Sequence, residues 1–377
     1  VVTGQQAGLF GGPLYTVIKA LSAIRLARHV GSLVGGPVVP VFWVDCEDHD
    51  WAEVRSATSL NRDGATKTVQ LADPAGAGRH SVGRLILDDT IEAAVAALAA
   101  ELPATEYTPA LIELLTRAYR PGQRLGRAFA RLLDAVLGPE GLVVFEADDA
   151  AAKSFTARIL QRELEHPGEA AELATRGADR LTALGHSPQI VPTTGSVGVF
   201  YLDDEGRRAV RLRDGQFWIG ETARPTAELA AEVAAHPARF SPNVLLRPLV
   251  QDALFPTVAY VGGPSELAYQ AQLADLYTAH GVPQPLLVSR ASVTLVDSAA
   301  TRFLERSALP IEALQAQDES ALNRLLEGQL PPGLDDTFAG LEALIVSRAD
   351  QLRQMATSVD PTLSGAVDTT VDRVRDT

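Results

Sequence analysis

The sequence predicts an α/β fold built on a parallel βαβ sheet, with helical and β-rich insertions and a helical C-terminal arm. Three observations carry that reading. Residues 1–13, Val-Val-Thr-Gly-Gln-Gln-Ala-Gly-Leu-Phe-Gly-Gly-Pro, run from a strand end through a glycine-rich turn into a helix start. Pro37 to Val44 is a nearly continuous apolar run, the pattern of a strand buried on both faces. Pro256 to Glu266 repeats the opening logic, a strand entering Gly262-Gly263 with Pro264 heading the next helix.

The whole-chain properties fit this class. With 377 residues, 46% of them hydrophobic, the chain has ample core for a main domain with insertions. A formal net charge of −14 without a concentrated basic patch argues against nucleic acid and anionic membranes as partners. No apolar run reaches membrane-spanning length. A single cysteine excludes an internal disulfide and suits a reducing cytoplasm. The chain opens without Met inside an apparent strand, so further residues are expected upstream.

In the first unit, Gly4, Gly8, Gly11 and Gly12 permit positive φ and close backbone approach, and Pro13 suits the first position of a helix running to about Val30. The N–H groups and dipole at that helix start make the Gly4–Pro13 loop a candidate cradle for a phosphate or carboxylate, with Gly4, Gln5, Gln6 and Gly8 as its contacts. The glycine spacing matches neither the dinucleotide fingerprint nor the P-loop. A tight structural turn is the alternative. Tyr15, Lys19 and Ser22 share one helix face. Lysine occurs only at 19, 67 and 153, so 33 Lys+Arg less 3 leaves 30 arginines. Lys19 therefore reads as a place that needs a compact ammonium, with a solvated surface lysine as the alternative.

The 38–44 strand ends in Asp45-Cys46-Glu47-Asp48-His49-Asp50, the densest ionisable cluster at a predicted strand terminus. Clustered carboxylates beside a histidine suit acid–base work or a divalent cation. In extended conformation Asp45, Glu47 and His49 face one side and Cys46, Asp48 and Asp50 the other, so all six cannot converge. A polar loop capping the next helix is the bland alternative. Cys46, beside carboxylates that raise a thiol's pKa, reads as a packed residue rather than a nucleophile.

Short alternating stretches over 54–88 predict strands of a sheet edge or insertion, and helices follow over 90–101, 109–119 and 123–137. Leu142 to Glu146 predicts a buried strand, and Glu146, Asp148 and Asp149 cap a helix over 150–164. Helices to about 184 give way to β-hairpins over 193–220, with turns at 203–206 and 214–215. Arg247 and Arg290 follow as candidates to hold a carboxylate or phosphate. Glu266 and Tyr269 sit in the first turns of a helix expected from Pro264 to His280, where Glu266 serves as cap or as ligand contact. Beyond Pro332, Leu341, Ile345, Leu352, Met355, Val359, Leu363, Val367, Val371 and Val374 recur at steps of mostly three or four. They predict a coiled-coil arm that Pro361 kinks or whose second half it starts. The resulting division is a first core half with insertion over 1–150 (strands near 1–3, 38–44 and 142–146), an inserted connecting segment over 151–240, a second core half over 241–330, and the arm over 331–377.

Three blocks together resemble one family. They are Val2 to Thr16 with Lys19-Ala20, Pro40 to Trp43 leading to Glu47-Asp48-His49-Asp50, and Gly262-Gly263-Pro264-Ser265-Glu266 with Tyr269. The chain is similar in these to the bacillithiol biosynthesis cysteine-adding enzymes, a match that extends to Asp360-Pro361-Thr362-Leu363. The resemblance implies a Rossmann-like core with inserted connecting segments, laid out like class I aminoacyl-tRNA synthetases, and a homodimer made through the coiled-coil arm. The implied reaction joins the carboxyl of L-cysteine to the amine of glucosaminyl malate. By analogy with those synthetases, ATP with Mg would activate the carboxyl, although neither H-I-G-H nor K-M-S-K-S is present. On this reading the Gly4–Pro13 loop and Lys19 hold a phosphate or carboxylate, and His49, flanked by Asp48 and Asp50, takes a proton from the amine. The expected binding set is Gly4, Gln5, Gln6, Gly8, Tyr15, Glu47, Arg247, Gly262, Gly263, Glu266, Tyr269 and Arg290, with no metal ligand assigned. Two competing readings are a metal-assisted hydrolase built on Asp45, Glu47 and His49, and a non-enzymatic dimeric scaffold that senses a metabolite.

Overall fold

The computed structural model describes residues 1–193, 196–316, 318–327, 331 and 333–375. Its strands are β1 (Val2–Gln6), β2 (Val41–Asp45), β3 (Ser56–Leu60), β4 (Thr66–Gln70), β5 (Val143–Glu146), β6 (Ser196–Asp203), β7 (Gly206–Arg213), β8 (Gln216–Ile219), β9 (Thr222–Arg224), β10 (Phe240–Pro242), β11 (Ala259–Gly262) and β12 (Leu286–Ser289). The central sheet is parallel, in the order β12-β11-β1-β2-β5. Val2 lies opposite both Val41 and Tyr260, so β1 is central and its first residues are buried on both faces. That burial explains why β1 and β2 read as apolar runs rather than as alternating strands.

The chain builds outward from β1 through β2 to β5, then returns to the other side of β1 to add β11 and β12. The strand order reverses at β1/β11, which opens a crevice at the carboxyl ends of those strands. Gly4 is held at this point by its neighbour. A β-carbon there would lie 2.7 Å from the Trp43 carbonyl oxygen, so only glycine fits the pairing. Trp43, Phe145 and Phe255 form an aromatic cluster at centroid distances of 5.0 to 6.2 Å, and Phe42 packs on Phe129 of the Leu125–Leu137 helix.

The expected β-rich insertion is a five-stranded sheet, β10-β6-β7-β8-β9, antiparallel throughout. Of its expected span, residues 194 and 195 lie outside the described residues. Phe240–Pro242 pairs with β6, so the insertion keeps the chain slightly past the boundary expected at 240. β3 and β4 form a separate two-stranded ribbon.

Three helices depart from the sequence reading. The first runs Tyr15–Val34 rather than from Pro13, because positive φ at Phe10, Gly11 and Gly12 closes Leu9–Gly11 into a 3₁₀ turn of its own. The one expected over Pro264 to His280 is divided into Pro264–Gln270, a 3₁₀ turn at Ala271–Leu273, and Ala274–His280. The C-terminal seam is divided too. The Leu334–Val359 helix stops at Asp360, whose carboxylate accepts the Thr362 N–H at 2.8 Å, and the chain passes through Pro361–Leu363 into a second helix, Ser364–Arg375. Arg353 Nε donates to Asp368 at 2.9 Å, so the second helix doubles back on the first instead of extending it. Leu341, Leu352, Met355, Val359 and Leu363 remain exposed, while Pro332 and the Val374 side chain fall outside the described residues.

The chain forms two compact units, 1–293 and 294–377, so the unit carrying the sheet closes earlier than the expected break at 330. Among the described residues no helix is long and apolar enough to cross a membrane.

Gly4→Ala should destabilise the fold by roughly 1–3 kcal/mol, because the clash is with backbone that cannot rotate away. Gly36→Ala, which meets nothing within 4 Å, should stay within about 0.5 kcal/mol of the parent in urea unfolding. Equal midpoints for the two variants would contradict the β1–β2 contact.

Candidate active site

A cleft of about 460 Å³ occupies the crevice at the carboxyl ends of β1, β2 and β11. Ten of the residues expected from the sequence line it: Gly4, Gln5, Gln6, Tyr15, Asp48, Arg247, Gly263, Glu266, Tyr269 and Arg290. Asp45, Val244, Tyr260, Pro264 and Ser265 complete the lining. Gly8 lies instead in an adjoining groove that shares Gln5, Gln6 and Tyr15 with the cleft. Lys19, Glu47, His49, Asp50 and Gly262 do not line the cleft.

Lys19 is fully buried below the cleft floor. Its ammonium donates to the Gly4 carbonyl, to Gln5 Oε1 at 3.2 Å, and to both Glu266 oxygens at 2.8 and 2.7 Å. Every proton of the ammonium is thus spent on protein acceptors, so the structure gives Lys19 to Glu266 rather than to a ligand. Glu266 also accepts from Tyr260 at 2.8 Å and from the Gly263 N–H at 2.8 Å. It is helix cap and buried counter-ion at once. Burial pushes its pKa up, but Lys19 and these donors prevail and hold it below the ordinary value.

The glycine loop closes on itself. The Gly8, Gly11 and Gly12 N–H groups donate to Gln6, Gly8 and Leu9 carbonyls, and Gly11 also lies 3.2 Å from the Tyr119 hydroxyl. The loop therefore offers few free amides to a phosphate, and its glycines serve the positive φ and the close approach of Gly8 to Gly12. The residues present do not build a phosphate nest of that kind.

The cleft lining carries both cations and acids, and two of them meet. Arg247 donates to the Tyr269 hydroxyl at 2.6 Å and lies 3.7 Å from Asp45. Burial disfavours its charge, yet Tyr269, Tyr260 and Asp45 outweigh that and keep it protonated. The Arg290 guanidinium lies 5.4 Å from the centre of the Tyr15 ring. On β2, burial pushes the Asp45 carboxyl above its usual value against the opposing pull of Arg247. Asp48 accepts the His49 backbone N–H at 2.7 Å and the Gln6 amide at 2.8 Å, and it lies 3.5 Å from Arg207.

The acidic cluster is pulled apart, but not along the expected alternation: β2 ends at Asp45, and Asp45 and Asp48 line one cleft while Glu47 between them is buried. Glu47 turns into the core, where Lys153 of the Ala150–Glu165 helix pairs with it and also donates to the Phe240 carbonyl at 3.3 Å. Cys46 is fully buried, and its thiol donates to Asp148 at 3.0 Å; burial and then Asp148 push its pKa well up. Asp50 caps the Trp51–Val54 turn by accepting the Glu53 N–H at 3.2 Å. Asp45, Glu47 and His49 thus answer to three different cations, Arg247, Lys153 and Arg207, rather than to one point in space. Among the described residues no group of three or more His, Cys, Asp or Glu side chains is placed to hold a metal ion.

Sequence reasoning did not find Arg207. From β7 it donates to Ser241 Oγ at 3.1 Å, to the Pro242 carbonyl at 3.0 Å and to His49 Nδ1 at 3.2 Å, and it stacks 3.6 Å above Phe200. Nothing marks it among thirty arginines in a hairpin. Lys153 did carry a signal, being one of three lysines: Lys19 and Lys153 are buried in ion pairs and only Lys67 is exposed.

Comparison with known proteins places this geometry in a family. Residues 1–291 match the model of the N-terminal Rossmann-like domain of the bacillithiol biosynthesis protein BshC. Proteins named "Putative cysteine ligase BshC" are similar to the chain at full or nearly full coverage. The one from Salinibacter ruber is 35% identical over 100% of this chain and 69% of its own length. Those from Koribacter versatilis and Heliobacterium modesticaldum are 34% and 36% identical, covering 100% and 92% of this chain and 69% and 64% of their own lengths.

Lys19→Met should lower the unfolding free energy by about 3–5 kcal/mol, since it strands a buried carboxylate. Urea denaturation checks this. A Lys19 that served only a ligand would leave the stability of the ligand-free protein unchanged.

Proposed function

Because the chain belongs to the bacillithiol biosynthesis BshC family, we propose that it is a ligase joining the carboxyl of L-cysteine to the amine of glucosaminyl malate as an amide. The observation that supports this most is that the cleft lining carries two arginines and two aspartates together. Arg247 and Arg290 suit the two carboxylates of a malyl group or the carboxylate of an amino acid. Asp45 and Asp48 suit an ammonium, which each of the two substrates carries. The tyrosines between them, Tyr15, Tyr260 and Tyr269, offer apolar faces with hydroxyl edges to a sugar.

The cleft's place at a strand-order reversal matches where α/β sheets bind small molecules. Within it Gly4, Gln5, Gln6, Gly263 and Glu266 are proposed as the backbone and polar frame of the substrate site. His49, with Asp48 and Asp50 beside it, is proposed next to the cleft-lining Asp48 as a polar contact to the substrate.

A free carboxylate must be activated before an amine attacks it, and ATP with Mg is the proposed source. The glycine loop spends its amides internally and so offers ATP no ready phosphate cradle. The exposed apolar residues of the Leu334–Val359 helix are proposed to meet a second copy of the chain, making a homodimer in the cytoplasm.

Mass spectrometry of the protein with L-cysteine and glucosaminyl malate, with and without ATP and Mg, tests the reading. Bacillithiol formed only with ATP is the expected outcome, and native spectra of the same sample should read two chains. Arg247→Met should lower kcat/KM by roughly ten- to a hundredfold through lost charged hydrogen bonds. If the folded protein binds neither substrate, the ligase reading fails.

A further inference from the structure

We propose that Arg207 locks His49 in the tautomer protonated at Nε2, so that His49 meets its substrate as a hydrogen-bond donor and not as the base that deprotonates the amine. The proposal rests on the ligase reading for its chemistry, but the tautomer itself follows from contacts made without a ligand. Nδ1 of His49 lies between two groups of opposite demand. Arg207 Nη1 is 3.2 Å away in hydrogen-bond alignment, and Asp48 Oδ1 is 3.3 Å away without forming an aligned hydrogen bond.

A guanidinium keeps all its protons and can only donate, so a hydrogen bond between the two requires an unprotonated Nδ1. An Nδ1–H would instead point a proton at the arginine. Asp48 does not need that proton. Its Oδ1 already accepts the His49 backbone N–H at 2.7 Å and faces Arg207 at 3.5 Å, and its Oδ2 accepts from Gln6 Nε2 at 2.8 Å.

Arg207 is not free to swing away and release Nδ1. Its side chain is 8% exposed, its other nitrogens are committed to Ser241 and Pro242, and Phe200 lies under its plane. The arginine comes from the inserted sheet, and the histidine from the loop after β2. The insertion therefore sets the protonation pattern of a residue next to the cleft-lining Asp48. His49 Nε2 has no hydrogen-bond partner among the described residues, and the ring is 40% exposed, so its proton is available to a substrate acceptor. Arg207 on this account is a positioning residue. It acts through His49.

Nitrogen-15 NMR of the imidazole rings reads the tautomer directly, with His49→Ala identifying the His49 signals. At a pH where the ring is neutral, the wild type should show a pyridine-like Nδ1 and a pyrrole-like Nε2. Arg207→Gln should move both resonances towards an exchanging mixture, and Arg207→Lys, which restores a cationic donor, should bring them part of the way back. A pyrrole-like Nδ1 in the wild type overturns the proposal, and so does a spectrum unchanged in a folded Arg207→Gln protein. If the arginine variants do not fold, the wild-type spectrum alone decides the tautomer. None of these readings needs turnover, so failure here is distinct from failure of the ligase reading.

Discussion

The buried pair between Lys19 and Glu266 is the constraint on which the site depends. Lys19 belongs to the helix after β1, and Glu266 to the helix after β11, residues 247 apart in sequence. The pair fastens together the two βα units that meet where the strand order reverses, and the cleft lies above it. Desolvating both charges is expensive, and it is tolerated because Gly4, Gln5, Tyr260 and Gly263 satisfy the remaining protons and lone pairs. An apolar pair of similar volume would pack there too, but it would not hold the Gly4 carbonyl and the Gly263 amide in register with each other.

The insertion is part of the site rather than an ornament on it. Lys153 reaches Glu47 from the helix that precedes the inserted sheet, and Arg207 reaches Asp48 and His49 from within that sheet. Two cations from one inserted segment thus organise three consecutive residues at the end of β2. Phe240, whose carbonyl receives Lys153, lies on β10, the strand by which the chain leaves the insertion. The β2 end loop is therefore tied to both the entry and the exit of the insertion.

Much of this was legible in the residues because it follows from short-range rules. Apolar runs at 1–3 and 38–44 became strands buried on both faces, whereas the run at 142–146, expected to be buried, became the edge strand β5 with Val143 exposed; the strand–Gly-Gly–Pro pattern became β11 and its helix. The six groups from Asp45 to Asp50 do separate, but not by the sides that strand alternation assigned, because β2 ends at Asp45 and the rest is loop. Lysine scarcity pointed to Lys19, although towards a ligand instead of Glu266, since sequence does not show which carboxylate folding brings within reach. The glycine loop was read as open, yet it turns inward because Phe10, Gly11 and Gly12 all take positive φ, a local choice that periodicity does not encode. The arm read as one seam because heptad spacing survives across Pro361, and only the Asp360 cap and the Arg353–Asp368 pair reveal the reversal. Arg207 was invisible for the same reason as most long-range contacts: its partners lie 158 and 34 residues away.

The account's central claim is that the cleft above Lys19 and Glu266 receives carboxylates at Arg247 and Arg290 and an ammonium at Asp45 and Asp48. A crystal structure of the protein with glucosaminyl malate bound tests that claim most directly. The predicted result has the malyl carboxylates on Arg247 and Arg290 and the sugar's ammonium towards Asp45 and Asp48. Density for the ligand outside this cleft, or with its ammonium against the arginines, would contradict it.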